Sequence, residues 1–498
     1  MYIVTAQEMY DIERHAIGEV GIPSVVLMET AGRSIASEIV PQLKGPEQIM
    51  VAIGAGNNGG DGWVIARVLL EKGYQAIAVQ TVPDAKIKGD ALLNKQIFEK
   101  VGGHVEYATT QGDFKAKMRK ADIIIDAILG IGTRGDVREP YKGFINSINE
   151  SCATVISVDI PSGIEASEGA TGKDAVQADQ TYMLGAAKLS AFLPKTAPYF
   201  GEWQLLDIGL PRISFESRVN RKLTTIADVR KTLQKRNPFA HKGTYGKGLI
   251  VGGSEFMPGS VTMTVMAALR TGAGLCTVAT EKAAIPSIAA NCLEAMYKDR
   301  AGIPEMDLSD FDGIAMGPGM GQDKTAGELV NNLFRGAECP LVIDADALQH
   351  AKEMLHAGVR KGRATLLTPH PGEMARLLDI EIGELLANPF SYSARFAEQT
   401  GSYVLLKGKH TIVTAPDGRQ SVNNTGNAGL AKGGTGDVLT GIVLALAMQQ
   451  DDPFEALRCA CHIHGLSADI QVESAHSEHD LLATDVVKGI GAVYRKLL

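Results

Sequence analysis

The segment 427–441 combines the residue types that phosphoryl chemistry requires. Its glycines Gly433, Gly434 and Gly436 can present backbone N–H groups to an anion without obstruction by side chains. The apolar residues that follow predict a helix beginning near Asp437, and a helix N-terminus carries a partial positive charge. The pattern predicts an anion cradle in which Asp437 takes the proton of a substrate hydroxyl. The alternative is a glycine-rich turn with Asp437 as a helix N-cap.

The length and composition of the chain limit the protein classes to consider. Its 498 residues suffice for two or three domains. The net charge of −8 argues against nucleic acid as the main partner, and no apolar run reaches the about 18 residues of a membrane span. The six cysteines lack C-x-x-C spacing and the N-terminus lacks a signal pattern. We therefore expect a reduced, cytoplasmic protein, and we also expect a homo-oligomer.

The N-terminal part predicts a helical arm over 5–43 and then alternating strands and helices. The predicted strands are Ile49–Ile53, Ala76–Gln80, Ile123–Asp126 and Val155–Asp159, and the helices between them are Trp63–Lys72, Asp90–Val101 and Tyr141–Asn149. Apolar strands separated by helices indicate a parallel sheet that is buried on both faces.

A second series of strands follows the polar stretch Pro211–Lys235, which resembles a linker. Its predicted strands are Leu249–Val251, Cys276–Ala279, Ile314–Met316, Leu341–Asp344 and Thr365–Thr368. The sequence therefore predicts two tandem α/β domains without internal repeats.

Several strand ends of the first domain carry polar residues. The strand Ile49–Ile53 is followed by a glycine-rich turn that contains Asn57, Asn58, Gly59, Gly60 and Asp61, and we expect the next helix to begin at Trp63. Such a turn is typical of a phosphate site, although the spacing is not G-x-G-x-x-G. A generic phosphate loop is the alternative.

Asp126, Asp159 and Ser162 follow two further strands. Because the carboxyl ends of parallel strands converge, we expect them to meet Asn58 in one crevice. Oxygen ligands without His or Cys suit a hard cation. Alternatively, each aspartate is only a cap or turn residue.

With these motifs, residues 1–215 resemble the NAD(P)H-hydrate epimerase family, through segments 57–62, 126–135, 158–163 and 185–189. The resemblance implies a Rossmann-like three-layer sandwich and a K⁺ ion held by Asn58, Asp126 and Ser162. It implies a hydrate site lined by Asn57, Asn58, Gly59, Gly60, Asp61, Gly130, Ile131, Gly132, Thr133, Arg134, Gly135, Asp136 and Asp159. We predict Asp159 as the proton-transfer residue, with Lys188 either as its partner or as a counter-charge for phosphates.

Residues 225–498 resemble the ADP/ATP-dependent NAD(P)H-hydrate dehydratases of the ribokinase-like superfamily, through segments 246–254, 317–321, 368–376, 407–411 and 427–441. The resemblance implies a ribokinase-like three-layer sandwich that uses Mg²⁺ with ADP or ATP. It implies nucleotide binding by Lys407, Gly408, Lys409, His410, Thr411, Gly433, Gly434, Thr435 and Gly436. It implies substrate binding by Gly321, His370, Pro371, Gly372, Glu373, Met374, Ala375, Arg376 and the catalytic Asp437.

Together the two resemblances predict an enzyme that repairs hydrated NADH and NADPH. The first domain would interconvert the R and S hydrates, and the second would dehydrate the S hydrate through a phosphorylated intermediate. The alternative is a ribokinase-like small-molecule kinase fused to a nucleotide-binding module. The sequence leaves open the choice between ADP and ATP and between the two hydrates.

One group of cysteines and histidines resembles a metal site, but we do not predict metal binding there. Cys459, Cys461, His462 and His464 lie in a predicted helix over 455–472, where residues two apart point to different faces. We therefore interpret them as a buried helix face. His476 and His479 are likewise interpreted as part of a solvated loop.

Overall fold

A computed structural model describes the whole chain, Met1–Leu498. The chain divides into two compact units, Met1–Asn220 and Arg221–Leu498. A mainly parallel sheet forms the centre of each unit. None of the helices combines the length and apolar character needed to cross a membrane.

The first unit contains nine strands and six helices. The strands are β1 (Ile3–Val4), β2 (Gln48–Ile53), β3 (Gln75–Gln80), β4 (Val105–Tyr107), β5 (Ile123–Ala127), β6 (Thr154–Val158), β7 (Gln180–Leu184), β8 (Ala187–Lys188) and β9 (Glu202–Leu206). The helices are α1 (Ala6–Gly18), α2 (Ser24–Ile39), α3 (Asn57–Glu71), α4 (Gly89–Lys100), α5 (Gln111–Met118) and α6 (Tyr141–Asn149). The predicted helical arm over 5–43 consists of two helices, because Gly21 and Pro23 separate α1 from α2.

The seven-stranded sheet of this unit is wholly parallel, in the order β4-β3-β2-β5-β6-β7-β9. Alternate residues of a strand point to opposite faces. Accordingly, Val51 of β2 packs with α2, α3 and α4, whereas Met50 and Ala52 pack with Phe114 of α5 and Phe144 of α6. Helices thus cover both faces, which confirms the predicted three layers.

Helix α3 begins earlier than predicted, at Asn57 instead of Trp63. Glycine is normally disfavoured in a helix, so the sequence indicated a loop here. In the structure these glycines permit close packing: a Cβ on Gly59 would lie 2.1 Å from the carbonyl oxygen of Gly54. Tertiary packing therefore overrides local propensity at this position.

The second unit contains ten strands and eleven helices. The strands are β10 (Arg221–Leu223), β11 (Lys247–Val251), β12 (Leu275–Thr280), β13 (Met296–Asp299), β14 (Gly313–Met316), β15 (Leu341–Ile343), β16 (Thr365–Leu367), β17 (Tyr403–Leu406), β18 (Thr411–Thr414) and β19 (Gln420–Asn423). The helices are α7 (Ile226–Thr232), α8 (Pro258–Thr271), α9 (Ile285–Ala289), α10 (Lys324–Gly336), α11 (Asp346–His356), α12 (Pro371–Leu378), α13 (Ile382–Ala387), α14 (Pro389–Thr400), α15 (Thr435–Ala447), α16 (Pro453–Ser474) and α17 (Ala483–Leu497).

These ten strands form one sheet, in the order β10-β19-β18-β17-β16-β15-β14-β11-β12-β13. Only β18 runs antiparallel to its neighbours. The stretch Pro211–Lys235 is more than a linker, because it supplies β10, which pairs with β19, and the helix α7.

Each sheet reverses its winding between two central strands, β2 and β5 in the first unit and β11 and β14 in the second. The loops after these strands touch. A Cβ on Gly54 would lie 1.9 Å from the carbonyl oxygen of Ile128, and one on Gly252 would lie 2.3 Å from that of Pro318. Open α/β sheets bind their ligands at such reversals.

We predict that Gly54→Ala destabilises the first unit by about 1–3 kcal/mol, because the new methyl group overlaps the backbone of Ile128. Calorimetry of the full chain should show a lower transition temperature for this unit and an unchanged second unit. Gly56→Ala is the matched control, since no atom lies within 4 Å of its Cβ position. Equal transitions for the two variants would contradict the prediction.

Candidate active sites

The carboxylate of Asp126 lies buried at the end of β5 in a shell of neutral donors. It accepts hydrogen bonds from the hydroxyl and backbone N–H of Ser162, at 2.6 and 2.9 Å, and from the hydroxyl of Ser157 at 3.0 Å. Burial raises its pKa against the effect of these bonds, and no basic side chain pairs with it. Asn58 lies nearby, because its amide donates to the carbonyl of Leu129, whose N–H donates to Ser162.

Asp159 follows β6 in a left-handed backbone conformation, with φ 66°. Its carboxylate accepts hydrogen bonds from the backbone N–H of Leu184, at 2.8 Å, and from the ammonium of Lys188. Lys188 is fully buried and also donates to the carbonyls of Leu184 and Ala186, at 2.8 and 3.1 Å. Because β8 pairs with β1, the N-terminal strand holds this lysine in place.

A cavity of about 520 Å³ opens beside these two groups. Of the predicted hydrate-site residues, those that line it are Asn57, Asn58, Asp61, Gly130, Ile131, Gly132, Thr133, Arg134, Asp136 and Asp159. Gly59, Gly60 and Gly135 do not line it. Gly60 packs against Met28, and the N–H of Gly135 donates to Glu165 at 2.6 Å.

Two residues of α1, Tyr10 and Glu13, also line this cavity, and sequence reasoning missed them. Burial raises the pKa of Glu13 to about 7, and the charge of Asp159 adds to the shift. Burial also raises the pKa of Asp61 well above its usual value. In the sequence Glu13 is only an acidic residue in a predicted helix, and no local pattern shows which side of that helix faces the cavity.

In the second unit, Asp437 is the third residue of α15, close to the predicted start of the helix. The helix follows Gly434, which has a left-handed conformation (φ 91°). Burial and the neighbouring charge of Asp344 raise the pKa of Asp437 to about 6, against a hydrogen bond from Ser260. A half-buried carboxylate with this pKa suits a general base near neutral pH.

Lys407, at the end of β17, forms an ion pair with Asp344 at 2.9 Å and lies 3.9 Å from a carboxylate oxygen of Glu373. The hydroxyl of Thr440 donates to the other oxygen of Asp344 at 2.7 Å. Burial lowers the pKa of Lys407, but the two carboxylates outweigh it and raise the pKa overall. Asp344 was recognised as a strand end, yet its role was missed because its partners are distant in sequence.

The predicted nucleotide segments lie on two loops. Lys407–Thr411 connects the antiparallel strands β17 and β18, and Lys409 donates to the carbonyl of Gly426 at 3.3 Å. Burial lowers the pKa of His410 to about 4, so the ring is neutral. The hydroxyl of Thr435 donates to two carbonyls of the glycine-rich turn, and Gly433 is exposed with open space at its Cβ position.

The segment 370–376 divides between two roles. His370 caps α12: its ring nitrogen accepts from the N–H of Gly372 at 3.0 Å, and Glu373 bonds back to the N–H of His370 at 2.8 Å. Glu373 and Arg376 line a second cavity, of about 290 Å³.

Other predicted members of this substrate set differ in their positions. Pro371 lies in the first turn of α12, whereas Met374 and Ala375 are buried in the protein core, outside the second cavity. The N–H of Gly321 donates to Asp346, a cavity residue that the sequence reasoning missed, at 2.9 Å.

The apparent metal cluster on α16 is a buried helix face, as interpreted. Cys459, Cys461, His462 and His464 are all buried, and no group of acidic, His or Cys side chains is arranged as a metal site. His476 pairs with Asp480 at 2.8 Å in the following loop.

Each of the two units matches a known protein family. Residues 248–490 match the NAD(P)H-hydrate dehydratase family, and residues 24–190 match the family of the YjeF-related protein N-terminus. The chain is similar to a crystal structure of ADP/ATP-dependent NAD(P)H-hydrate dehydratase from Bacillus subtilis, co-crystallized with ATP/Mg²⁺ (33% identity, TM-score 0.51), over 56% of this chain and 99% of that one. It also shares its fold with a ribokinase-like superfamily protein from Enterococcus faecalis (24% identity, TM-score 0.50, 56% and 96% of the two chains).

Across its whole length the chain is 34% identical to the bifunctional NAD(P)H-hydrate repair enzyme Nnr of Moorella thermoacetica, covering 100% of this chain and 97% of the relative. The families of the two units are those that the sequence motifs predicted. The chain therefore belongs to the bifunctional NAD(P)H-hydrate repair enzymes, with an epimerase domain followed by an ADP/ATP-dependent dehydratase domain.

Proposed function

We propose that the first domain, residues 1–215, interconverts the R and S hydrates of NADH and NADPH, and that the second, residues 225–498, dehydrates the S hydrate through a phosphorylated intermediate. The observation that carries the second assignment is the position of Asp437. It joins a half-buried carboxylate to a glycine-rich turn at the N-terminus of α15.

A ring hydroxyl is a poor leaving group, and phosphorylation turns it into a good one. Asp437 accepts the hydroxyl proton while the oxygen attacks the terminal phosphorus of ADP or ATP, whose bridging P–O bond breaks to release AMP or ADP. The phosphate then leaves with the C–O bonding electrons, as the ring nitrogen donates its lone pair. Loss of a ring proton restores NADH or NADPH. Backbone amides of Gly433, Gly434 and Gly436 stabilise the transferring group, and such donors contribute about 3 kcal/mol each in a dry site.

We assign the nucleotide to the loop 407–411 and the segment 428–436. The similarity to a dehydratase co-crystallized with ATP/Mg²⁺ supports this assignment. Mg²⁺ is held mainly by phosphates and water in such sites, and the carboxylate of Asp344 is a suitable hard oxygen donor. When bound, the ion neutralises the phosphates. Gly321 and the exposed members of 370–376, together with Asp437, are assigned to the hydrated nicotinamide.

In the epimerase domain, we assign proton transfer to Asp159, whose carboxylate forms an ion pair with Lys188. Asn58, Asp126 and Ser162 are assigned to K⁺. Their fit rests on the buried carboxylate of Asp126, which has oxygen neighbours and no basic partner. When bound, K⁺ supplies the missing positive charge beside the substrate. A homo-oligomeric state and a cytoplasmic location stay predictions.

The complete reaction is tested with a mixture of both hydrate epimers, Mg²⁺ and either ADP or ATP, while dihydronicotinamide absorbance is followed. Full recovery is expected with at least one nucleotide, because the epimerase resupplies the S hydrate. Recovery of about half would contradict the epimerase assignment. A stable phosphorylated product without recovery of absorbance would favour the small-molecule kinase alternative.

Asp437→Asn should lower the dehydratase rate by about 10²–10⁴-fold, because an amide cannot accept the hydroxyl proton. The epimerase rate should not change. Asp485→Asn is a matched control, since Asp485 holds the same third position in α17 outside the site. In the unmodified protein the rate should fall as pH drops through about 6, where Asp437 gains a proton. Full dehydratase activity of Asp437→Asn would remove the assigned base.

Replacement of K⁺ by tetramethylammonium at constant ionic strength should slow epimerisation, because the negative charge of Asp126 is then uncompensated. Asp126→Asn should abolish this dependence on K⁺. Rates of R-to-S conversion without nucleotide measure the effect. Equal rates in both salts for the unmodified protein would argue against the assigned cation site.

A further inference from the structure

The carboxyl group of Glu13 has no assigned role, although it faces the epimerase cavity. Helix α1 forms one wall of the cavity and contributes both Glu13 and Tyr10 to it. The hydroxyl of Tyr10 lies 3.0 Å from the position that a Cβ atom on Gly132 would occupy. The side chain of Glu13 makes no hydrogen bond or ion pair with the protein. Glu13 is only half-buried, so its unpartnered carboxyl in the cavity wall is available to a ligand or to water.

More acidic than basic side chains line the cavity: Glu13, Asp61, Asp90, Asp136 and Asp159 against Arg134 and Arg138. Three carboxyl groups, those of Glu13, Asp61 and Asp159, interact with one another across the site, and one ammonium, that of Lys188, faces them. Lys188 is already committed to a direct ion pair with Asp159. Removal of the remaining two from water as anions is unfavourable, so the surroundings favour protonated forms of Glu13 and Asp61 beside the ion pair of Asp159 and Lys188.

We infer that Glu13 is the second proton-transfer residue of the epimerase, working with Asp159 from a different wall of the same cavity. This inference rests on the proposed function of the first domain. Inversion at one carbon requires the hydroxyl to leave one face and water to add to the other. Two carboxyl groups in opposite protonation states satisfy both requirements.

Epimerisation takes place by loss of water from the ring carbon and re-addition of water to the same carbon. Glu13 gives its proton to the hydroxyl oxygen while the C–O bond breaks, and the bonding electrons leave with water. The lone pair of the ring nitrogen forms a C=N bond at the same carbon. A water molecule then adds to the opposite face, the C=N electrons return to nitrogen, and Asp159 takes the surplus proton. Exchange with solvent restores both groups, and the reverse reaction exchanges their roles.

The surroundings of Glu13 match this role. Burial raises its pKa to about 7, Lys188 opposes the rise and Asp159 adds to it. A group that both gives and takes a proton works best with a pKa near the working pH. The other groups that couple to Glu13 are Tyr10 and Asp61, and burial raises the pKa of both. Tyr10 therefore stays a neutral donor, and Asp61 favours its protonated form.

The test uses the full-length protein without nucleotide, with purified R hydrate, and separates the S hydrate by chromatography. Glu13→Gln should lower the epimerisation rate by about 10²-fold or more. The rate of the unmodified protein should fall as pH rises through about 7, where Glu13 loses its proton. The residual rate of Glu13→Gln should lack this alkaline fall, which a merely structural role would not remove. Glu13→Asp, which keeps a titrating carboxyl, should retain the fall at a reduced rate.

The dehydratase rate on S hydrate is the internal folding control, and Asp11→Asn is the matched variant. Asp11 lies on the same helix, pairs with Arg14 at 3.2 Å and is outside the cavity. If Glu13→Gln epimerises at the wild-type rate while Asp159→Asn loses epimerisation, the inference is overturned and the proposed function stands. Loss in Asp61→Asn but not in Glu13→Gln would also overturn it. Full rates in both Glu13→Gln and Asp159→Asn would contradict the proposed proton transfer itself.

Discussion

Burial of carboxylates at the active-site edges of parallel sheets is the constraint on which both sites depend. An ionised carboxylate loses its hydration there, so it must gain hydrogen bonds, a cation or a proton. Asp126 has serine donors, Asp159 has Lys188, and Asp344 has Lys407. Residues of one chemical type thus take different roles, because the partner of each carboxylate differs. The chemistry of each site follows from the partner and not from the acid alone.

The backbone must approach itself closely for these groups to meet. At the winding reversals, glycines allow successive strand-end loops to touch, as at Gly54 and Gly252. Two residues other than glycine, Asp159 and Ala345, adopt left-handed conformations directly after strands of the two sites. Such conformations cost on the order of 1–3 kcal/mol and persist only where the surrounding structure enforces them. Their location beside Lys188 and Asp344 therefore connects backbone strain with the position of the charged groups.

The nine strands that the sequence predicted are all present, because continuous apolar runs reflect burial on both faces. The strands β4, β7, β9, β10, β13, β17, β18 and β19 were missed. The prediction failed at segment 57–62, where glycines that indicate a loop instead pack a helix against β2. Glu13 was not predictable, because its position at the cavity depends on the pairing of β1 with β8, far apart in the chain. For the same reason Asp344 was recognised only as a strand end. Local patterns describe elements, whereas these partnerships arise from long-range topology.

The two reactions have different thermodynamic consequences, which explains why one chain contains both domains. An epimerase alone only equilibrates the two hydrates and repairs nothing. The dehydratase consumes one epimer at the expense of a nucleotide phosphate and so draws the other through the epimerase by mass action. In the proposed mechanism, the turn at Gly433–Gly436 with Asp437 performs the chemistry of a kinase up to phosphoryl transfer. The ring nitrogen then makes the phosphate a leaving group, so the phosphoryl group drives the repair and is absent from the product.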